Sequence, residues 1–122
     1  MDTLNYDFFL KVLTENGSWL DETSFYFADD SEKEDHWLGY LPNREIPPYW
    51  VGNCDISGGA EYDTAQELME AAIFDGRSLR DRWPQVRLVS MLGISLDSWY
   101  EYYYKFEDGP CPRSGPVPFQ SE

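Results

Sequence analysis

His36 is the only histidine of this 122-residue chain, and the carboxylate of Asp35 directly precedes it. These two residue types can act together as a general base and the group that orients it. A hydrolase also needs an activated nucleophile, and the sequence has neither a GxSxG-type elbow nor a comparable cysteine context. We therefore predict a protein that is not an enzyme, and we keep a hydrolase using carboxylates and His36 as the alternative.

Residue types that bind metals and cofactors are scattered along the chain. One histidine and the distant Cys54 and Cys111 do not form a zinc signature. The acidic run DDSEKED, residues 29–35, lacks the alternating ligands and the central glycine of an EF-hand loop. The Gly58-Gly59 turn leads into acidic residues rather than the GK[ST] of a phosphate-binding loop. The sequence therefore predicts no metal site and no cofactor.

The charge balance is the most informative feature of the sequence. The formal net charge is −14, and residues 1–76 hold 17 acidic and three basic side chains, whereas residues 77–122 hold six of each. A surface of one sign on this scale repels nucleic acid and speeds the encounter with basic proteins. We therefore expect a basic protein partner and no direct binding of nucleic acid.

Aromatic side chains interleave with the acidic segments, and aromatic anchors beside charge are typical of protein interfaces. The competing interpretation, that the acidity only keeps a small protein soluble, stays open at this point. The predicted partner-binding residues are Asp29, Asp30, Glu32, Glu34, Asp35, Trp37, Tyr40, Glu61 and Asp63.

The arginines form a local cluster in the second half of the chain. They are Arg77, Arg80, Arg82 and Arg87. A nucleic-acid patch would require these side chains to be free, and neighbouring acids such as Asp75 and Asp81 are available to them. We expect pairing with the acidic surface rather than a nucleic-acid site.

The composition predicts one folded domain. The chain is 42% apolar and 17% aromatic, which suffices for one core and leaves little room for a second. We assign residues 1–107 to this domain and residues 108–122, rich in proline and glycine, to a C-terminal tail. The N-terminus has no basic region and the apolar runs are short, so we expect a cytoplasmic protein without signal peptide or membrane span. The cysteines should then stay thiols, although they could pair if the chain were exported.

Hydrophobic periodicity predicts mixed secondary structure. A helix is expected over 4–16, ending on a left-handed Asn16-Gly17 cap. A second helix should run from Ala65 to about Ala72, burying Leu68, Met69 and Ala72, behind a Thr64–Glu67 capping box. A short helix should begin at Ser78 and stop at Pro84. The predicted strands are 24–28, 36–41, 49–56 and 86–92.

Residues 95–106 fit both a helical stripe and strand alternation, and we favour the helix. Trp37, Trp50 and Val51 are expected on central strands, with Trp50 in the core or, if exposed, a binding anchor. Together these elements predict an α+β fold with a small, mostly antiparallel sheet and two to four helices packed on one face.

The run YWVGNCDISGGAEYDTAQELMEAAIFDGRSLRDRW resembles a pattern of small uncharacterised bacterial proteins, with a W-V-G-x-C-D strand, a capped TAxEL helix and an IFDG-[KR]-SL segment. Its motif residues look structural and imply no active site. They are Thr64, Leu68, Phe74, Asp75, Gly76, Ser78, Leu79 and Trp83. In general character the chain is also similar to the immunity proteins of bacterial toxin systems, including the barstar-like and contact-dependent-inhibition classes.

These observations lead to one functional hypothesis and two alternatives. The hypothesis is an acidic, non-enzymatic binding protein, an immunity or antitoxin protein that neutralises a basic toxin, such as a nuclease, by covering its active site. The alternatives are the carboxylate–His36 hydrolase and an acidic mimic of nucleic acid that blocks a DNA-binding protein.

Overall fold

A computed structural model describes residues 3–42 and 46–105, except for the side chains of 103–105. Its centre is an antiparallel sheet of six strands in the order β4-β3-β2-β1-β5-β6. The strands are β1 (Thr23–Phe27), β2 (His36–Tyr40), β3 (Tyr49–Gly52), β4 (Ala60–Tyr62), β5 (Val86–Met91) and β6 (Ile94–Ser95). The helices are α1 (Tyr6–Asn16), α2 (Ala65–Glu70), α3 (Leu79–Arg82) and α4 (Leu96–Lys105). The predicted α+β class is confirmed, whereas the proposed tail 108–122 lies outside the described residues.

Alternation along the strands separates two faces of the sheet. Phe25, Phe27 and Leu38 point to the inner face and are at most 2% exposed. That face packs against apolar residues of the helices, because an apolar sheet face must be covered. The helical residues buried there include Phe8, Phe9, Val12 and Leu13 of α1, Ala65, Leu68 and Met69 of α2, and Leu96 and Trp99 of α4.

Polar tips of large aromatic side chains fasten the helices to the core. The indole N–H of Trp83 donates to the carbonyl of Leu4 at 2.8 Å, and that of Trp99 donates to the carbonyl of Trp19 at 2.8 Å. The Tyr49 hydroxyl donates to the Leu13 carbonyl at 3.0 Å. Each aromatic body is buried while its polar atom is satisfied, as the interior requires.

Several predicted boundaries differ from the structure. The prediction extended β3 to residue 56, whereas the strand ends at Gly52, and it missed the short strands β4 and β6. α1 ends without a left-handed cap, since Gly17 has φ −53° and the chain continues into a 3₁₀ turn over Gly17–Leu20. The helix assignment for 95–106 is confirmed as far as Lys105.

α2 ends at Glu70, two residues before the predicted end, so Ala72 is exposed rather than buried. α3 is followed by a 3₁₀ turn over Trp83–Gln85 that contains Pro84. None of the helices in the described part of the chain is long and apolar enough to cross a membrane.

Several residues of the IFDG-containing motif make packing or capping contacts. Phe74, Leu79 and Trp83 are at most 2% exposed, and the Ser78 hydroxyl accepts from the N–H of Asp81 at 3.0 Å, capping α3. Asp75 and Gly76 form a two-residue turn with φ of +56° and +75°. Two positive φ values favour glycine and aspartate, the usual residues of this turn type.

The outer face of the sheet carries two tryptophans. Trp37 of β2 is 37% exposed, and Trp50 of β3 is half-buried, so the expectation that Trp50 belongs to the core is wrong. Gly39 lies opposite Trp50, and a Cβ built on Gly39 would come within 2.6 Å of the indole atoms Cε2 and Cζ2. The indole of Trp50 therefore lies over Gly39, in the space that any other side chain would occupy.

We expect Thr64→Ala to lower the free energy of unfolding by about 1 kcal/mol. The Thr64 hydroxyl accepts from the N–H of Glu67 at 3.1 Å and donates to the Glu67 carboxylate at 3.0 Å, so alanine removes both contacts. Urea denaturation measures the effect, and Thr64→Ser, which keeps the hydroxyl, is the matched control. Equal stability of the alanine and serine variants would contradict this cap.

The two glycines beneath the tryptophans should respond differently to alanine. Gly39→Ala should destabilise the protein by about 1–3 kcal/mol, since the new methyl group displaces both the Asp21 carboxylate and the Trp50 indole. Gly52→Ala should be neutral or stabilising by up to about 1 kcal/mol, because its nearest neighbour, Cε3 of Trp37, lies at an ordinary 3.7 Å. Denaturation curves of the two variants test this, and similar losses in both would contradict the placement of Trp50.

Candidate functional site

A cleft of about 490 Å³ opens at one end of the sheet. The end of β1, the start of β2, the end of β3 and the turn between α2 and α3 meet there, because antiparallel neighbours bring alternate loops to the same edge. Five carboxylates, one guanidinium and one imidazole line this acidic cleft. They belong to Asp29, Asp30, Glu34, Asp55, Asp75, Arg82 and His36.

Arg82 is the buried cation of the acidic cleft. Its side chain is 9% exposed, and its Nη2 lies 2.9 Å from Asp29 Oδ1 while its Nη1 lies 3.6 Å from Asp75 Oδ2. The guanidinium carbon also sits 3.6 Å from the centroid of the Phe27 ring, a cation–π contact. Arg82 thus offsets part of the charge of two carboxylates and joins α3 to the end of β1 and to the Asp75-Gly76 turn.

The predicted pairing of the other arginines also holds in part. Arg80 Nη1 lies 2.7 Å from Glu70 Oε1, and Arg77 donates to the main-chain carbonyl of Asp81 at 3.4 Å. Arg87 donates to the carbonyls of Pro84 and Val86. The expected pairing with acidic side chains is thus present for Arg80 and Arg82, whereas Arg77 and Arg87 donate to main-chain carbonyls.

Asp55 fixes the turn on the opposite wall of the cleft. Its carboxylate accepts from the N–H of Gly76 at 2.9 Å and of Asp75 at 3.0 Å. Its own N–H donates to the carbonyl of Ile73 at 2.8 Å. The two N–H groups, Gly76 first, hold the pKa of Asp55 below its ordinary value because they bind the ionised form.

Asp30 plays the same role in the acidic loop between β1 and β2. Its two carboxylate oxygens accept from the N–H of Glu34 at 2.9 Å and of Glu32 at 3.0 Å. These bonds lower the pKa of Asp30 and keep it charged. The side-chain amide of Asn53 donates to Glu34 Oε1 at 3.1 Å and to the carbonyl of Asp35, which fastens the loop to the residue after β3.

His36 closes the inner end of the cleft. It is 9% exposed and packs against Phe25, Phe27 and Phe74 with ring centroids 5.1–5.4 Å apart. Its Nδ1 donates to the main-chain carbonyl of Asn53, so in the neutral ring Nε2 carries the lone pair. This bond orients the ring through the backbone, without a contact to the neighbouring Asp35 carboxylate.

The Cys54 thiol is half-buried in the cleft wall and lies 3.7 Å from the carbonyl of Ile56, while Cys111 falls outside the described residues. Within residues 3–42 and 46–105, no three His, Cys, Asp or Glu side chains form a group that could hold a metal ion.

The predicted partner-binding residues fall on different surfaces. Those in the acidic cleft or its loop are Asp29, Asp30, Glu32, Glu34 and Asp35. Trp37 and Glu61 lie on the outer face, and Asp63 is exposed just before α2. Tyr40 points to the inner face, half-buried against Tyr49 at 4.8 Å between ring centroids.

Sequence reasoning missed Asn53, Asp55, Asp75 and Arg82 as parts of one site. The Asp75-Gly76 pair was recognisable as a turn, and Arg82 as a cation near it. Their convergence with Asp29 and Asp55 depends on the strand order, which local patterns do not reveal.

Comparison with protein-family profiles, with curated proteins and with solved structures gave no match to this chain.

We expect Asp55→Asn to weaken the acid dependence of stability. The folded pKa of Asp55 lies below its ordinary value of 3.8, so its contribution is present above that pH and is lost as the pH falls through the folded pKa. The difference in unfolding free energy between the wild type and the variant should therefore be constant near neutrality and shrink towards zero in acid. Urea denaturation across this range measures it.

Asp63→Asn, at an exposed carboxylate before α2, is the matched control and should show a smaller difference at neutral pH. A pH-independent difference for Asp55→Asn would contradict the assignment of the turn contacts to the ionised carboxylate.

Proposed function

We propose that this chain is an acidic, non-enzymatic binding protein that neutralises a basic protein. In the specific form we favour, it is a cytoplasmic immunity or antitoxin protein that covers the active site of a basic toxin, such as a nuclease.

The observation that supports this proposal is the charge imbalance of the acidic cleft. Arg82 pairs with Asp29 and Asp75, and the remaining carboxylates of Asp30, Glu34 and Asp55 accept hydrogen bonds from neutral N–H groups. Within the described residues, none of these three has a cationic side chain within ion-pair distance. Their charge therefore remains available to an approaching cation.

The proposed mechanism has two steps. The field of the cleft and the surrounding acidic loop attracts a basic surface and orients it during the encounter. Aromatic side chains that are partly exposed, such as Trp37, are then buried and slow dissociation. A nuclease active site is built to hold phosphates, so carboxylates at similar spacing compete for it directly.

The test begins with the genes adjacent to the coding sequence of this chain. Each is expressed alone in a bacterial host, and any product that stops growth is expressed again with this protein. We expect restored growth and a stable complex of the two purified proteins. If none of these products is toxic or is neutralised, the specific immunity proposal is wrong.

Association kinetics with the recovered toxin test the electrostatic mechanism. The exposed pair Glu32→Lys/Asp35→Lys in the acidic loop should slow association roughly tenfold at low salt, with the difference closing as salt rises, because the Debye length is only about 8–10 Å near physiological ionic strength. Stopped-flow fluorescence measures the rates.

The matched control is Glu15→Lys/Glu101→Lys, which changes the net charge equally at exposed positions of α1 and α4. It should affect association much less, since steering depends on local field. Equal slowing by the two pairs would show that only the overall charge matters and that the cleft is not the docking site.

A further inference from the structure

The outer face of β2 and β3 has a reciprocal arrangement of tryptophan and glycine. Trp37 of β2 is opposite Gly52 of β3, and Trp50 of β3 is opposite Gly39 of β2. Each indole can therefore lie along the sheet over a residue without a side chain. A Cβ on Gly39 would lie only 2.6 Å from two atoms of the Trp50 indole. A Cβ on Gly52 would lie 3.7 Å from Cε3 of the Trp37 indole.

The two indoles form an aromatic platform that the described helices leave open. Trp37 is 37% exposed, and Val89 on the same sheet, on β5, is 46% exposed. Trp50 Nε1 has no hydrogen-bond partner among the described residues, so no polar contact holds that indole in one position. An incoming planar group can therefore contact this indole without breaking a hydrogen bond.

Carboxylates border the platform. Asp35 lies two residues before Trp37 in the chain, and Asp21 Oδ1, which accepts from the N–H of Tyr40 at 3.1 Å, approaches the same side of Gly39 as the Trp50 indole. The platform is thus aromatic at its centre and negative at its border, which is complementary to a cation with an apolar or planar body.

The chain already places one of its own cations on this face. Lys33, from the acidic loop, has its Nζ 5.8 Å from the centroid of the Tyr26 ring, and Tyr26 is an outer-face residue of β1. No cation of the described residues occupies the corresponding position over Trp37 or Trp50.

We propose that the platform of Trp37 and Trp50 binds an arginine side chain of the basic partner protein, with the guanidinium stacked on an indole and its N–H groups directed to the bordering carboxylates. The proposal rests on the function proposed above and adds to it the contact surface and the residue type. Arginine fits better than lysine because its planar guanidinium stacks on aromatic rings and donates five N–H bonds in a fixed geometry.

Two synthetic peptides serve as probes, one alternating arginine with glycine and the other alternating lysine with glycine, of equal length and charge and with blocked ends. Calorimetric titration should show that the wild-type protein binds the arginine peptide about two- to fivefold more tightly. Trp37→Ala should bring this ratio close to one, whereas Trp37→Phe, which keeps a ring, should retain part of it.

Glu32→Lys/Asp63→Lys is the control for charge alone, and it should weaken both peptides equally and leave the ratio unchanged. Trp50→Ala removes part of the sheet packing, so Trp50 is also followed in the wild type by its indole N–H signal in nitrogen–proton correlation spectra. Both the Trp37 and the Trp50 signals should shift with the arginine peptide.

Equal affinity of the wild type for both peptides, or no binding of either, would overturn the platform proposal. An unchanged ratio of the two peptide affinities in Trp37→Ala would also overturn it. The same holds if a neutral oligosaccharide such as cellohexaose shifts the indole signals saturably while the arginine peptide does not. If these results overturn the platform but the protein still binds a toxin in a salt-dependent manner, the proposed immunity function is supported without the platform. If the protein prefers the arginine peptide but neutralises no toxin, the immunity proposal is wrong and the platform proposal is supported.

Discussion

The buried guanidinium of Arg82 is the contact on which the arrangement of the acidic cleft depends. The fold brings Asp29 and Asp75 together from positions far apart in the sequence, and two carboxylates in proximity repel unless a cation separates them. Arg82 lies between them and against the face of Phe27, so one side chain makes both ion contacts and a ring contact, while its buried Nε has no hydrogen-bond partner among the described residues. The remaining walls use neutral N–H donors at Asp30 and Asp55, which stabilise negative charge without cancelling it.

The sequence predicted the elements with strong local signals and missed those whose identity depends on neighbours. The Thr64 cap and the Asp75-Gly76 turn follow from local chemistry, and both are present. β4 and β6 contain three and two residues, too few for periodicity to detect, and they exist because the adjacent strands offer free edges. Trp50 was expected in the core because it was assigned to a central strand, but alternation along β3 turns Val51 inward and Trp50 outward.

The candidate site, too, was predicted only where its residues carry a local signal in the sequence. Asp29, Asp30 and Glu34 were recognised from charge density, a property that sequence shows directly. Asp55 comes from the other side of the cleft, and its role depends on the hydrogen bonds that join the end of β3 to the α2–α3 turn. Charge density also does not separate structural from available carboxylates. The Asp29 carboxylate is paired with Arg82, and the Asp55 carboxylate holds the Asp75-Gly76 turn without losing its charge, whereas Glu32 and Asp35 extend from the acidic loop.

Strand β2 contributes side chains to both the acidic cleft and the aromatic platform. Because successive side chains of a strand point to opposite faces, His36 closes the cleft on the inner side while Trp37 lies on the outer face one residue later. The acidic loop precedes both and is fastened by Asn53 to the end of β3, the strand that supplies Trp50. A partner that reaches around this edge can therefore meet the charge of the loop and the indoles of the outer face together. In the complex that we propose, long-range attraction and short-range stacking would act on the same docked orientation, so charge would set the association rate and the aromatic contact the dissociation rate.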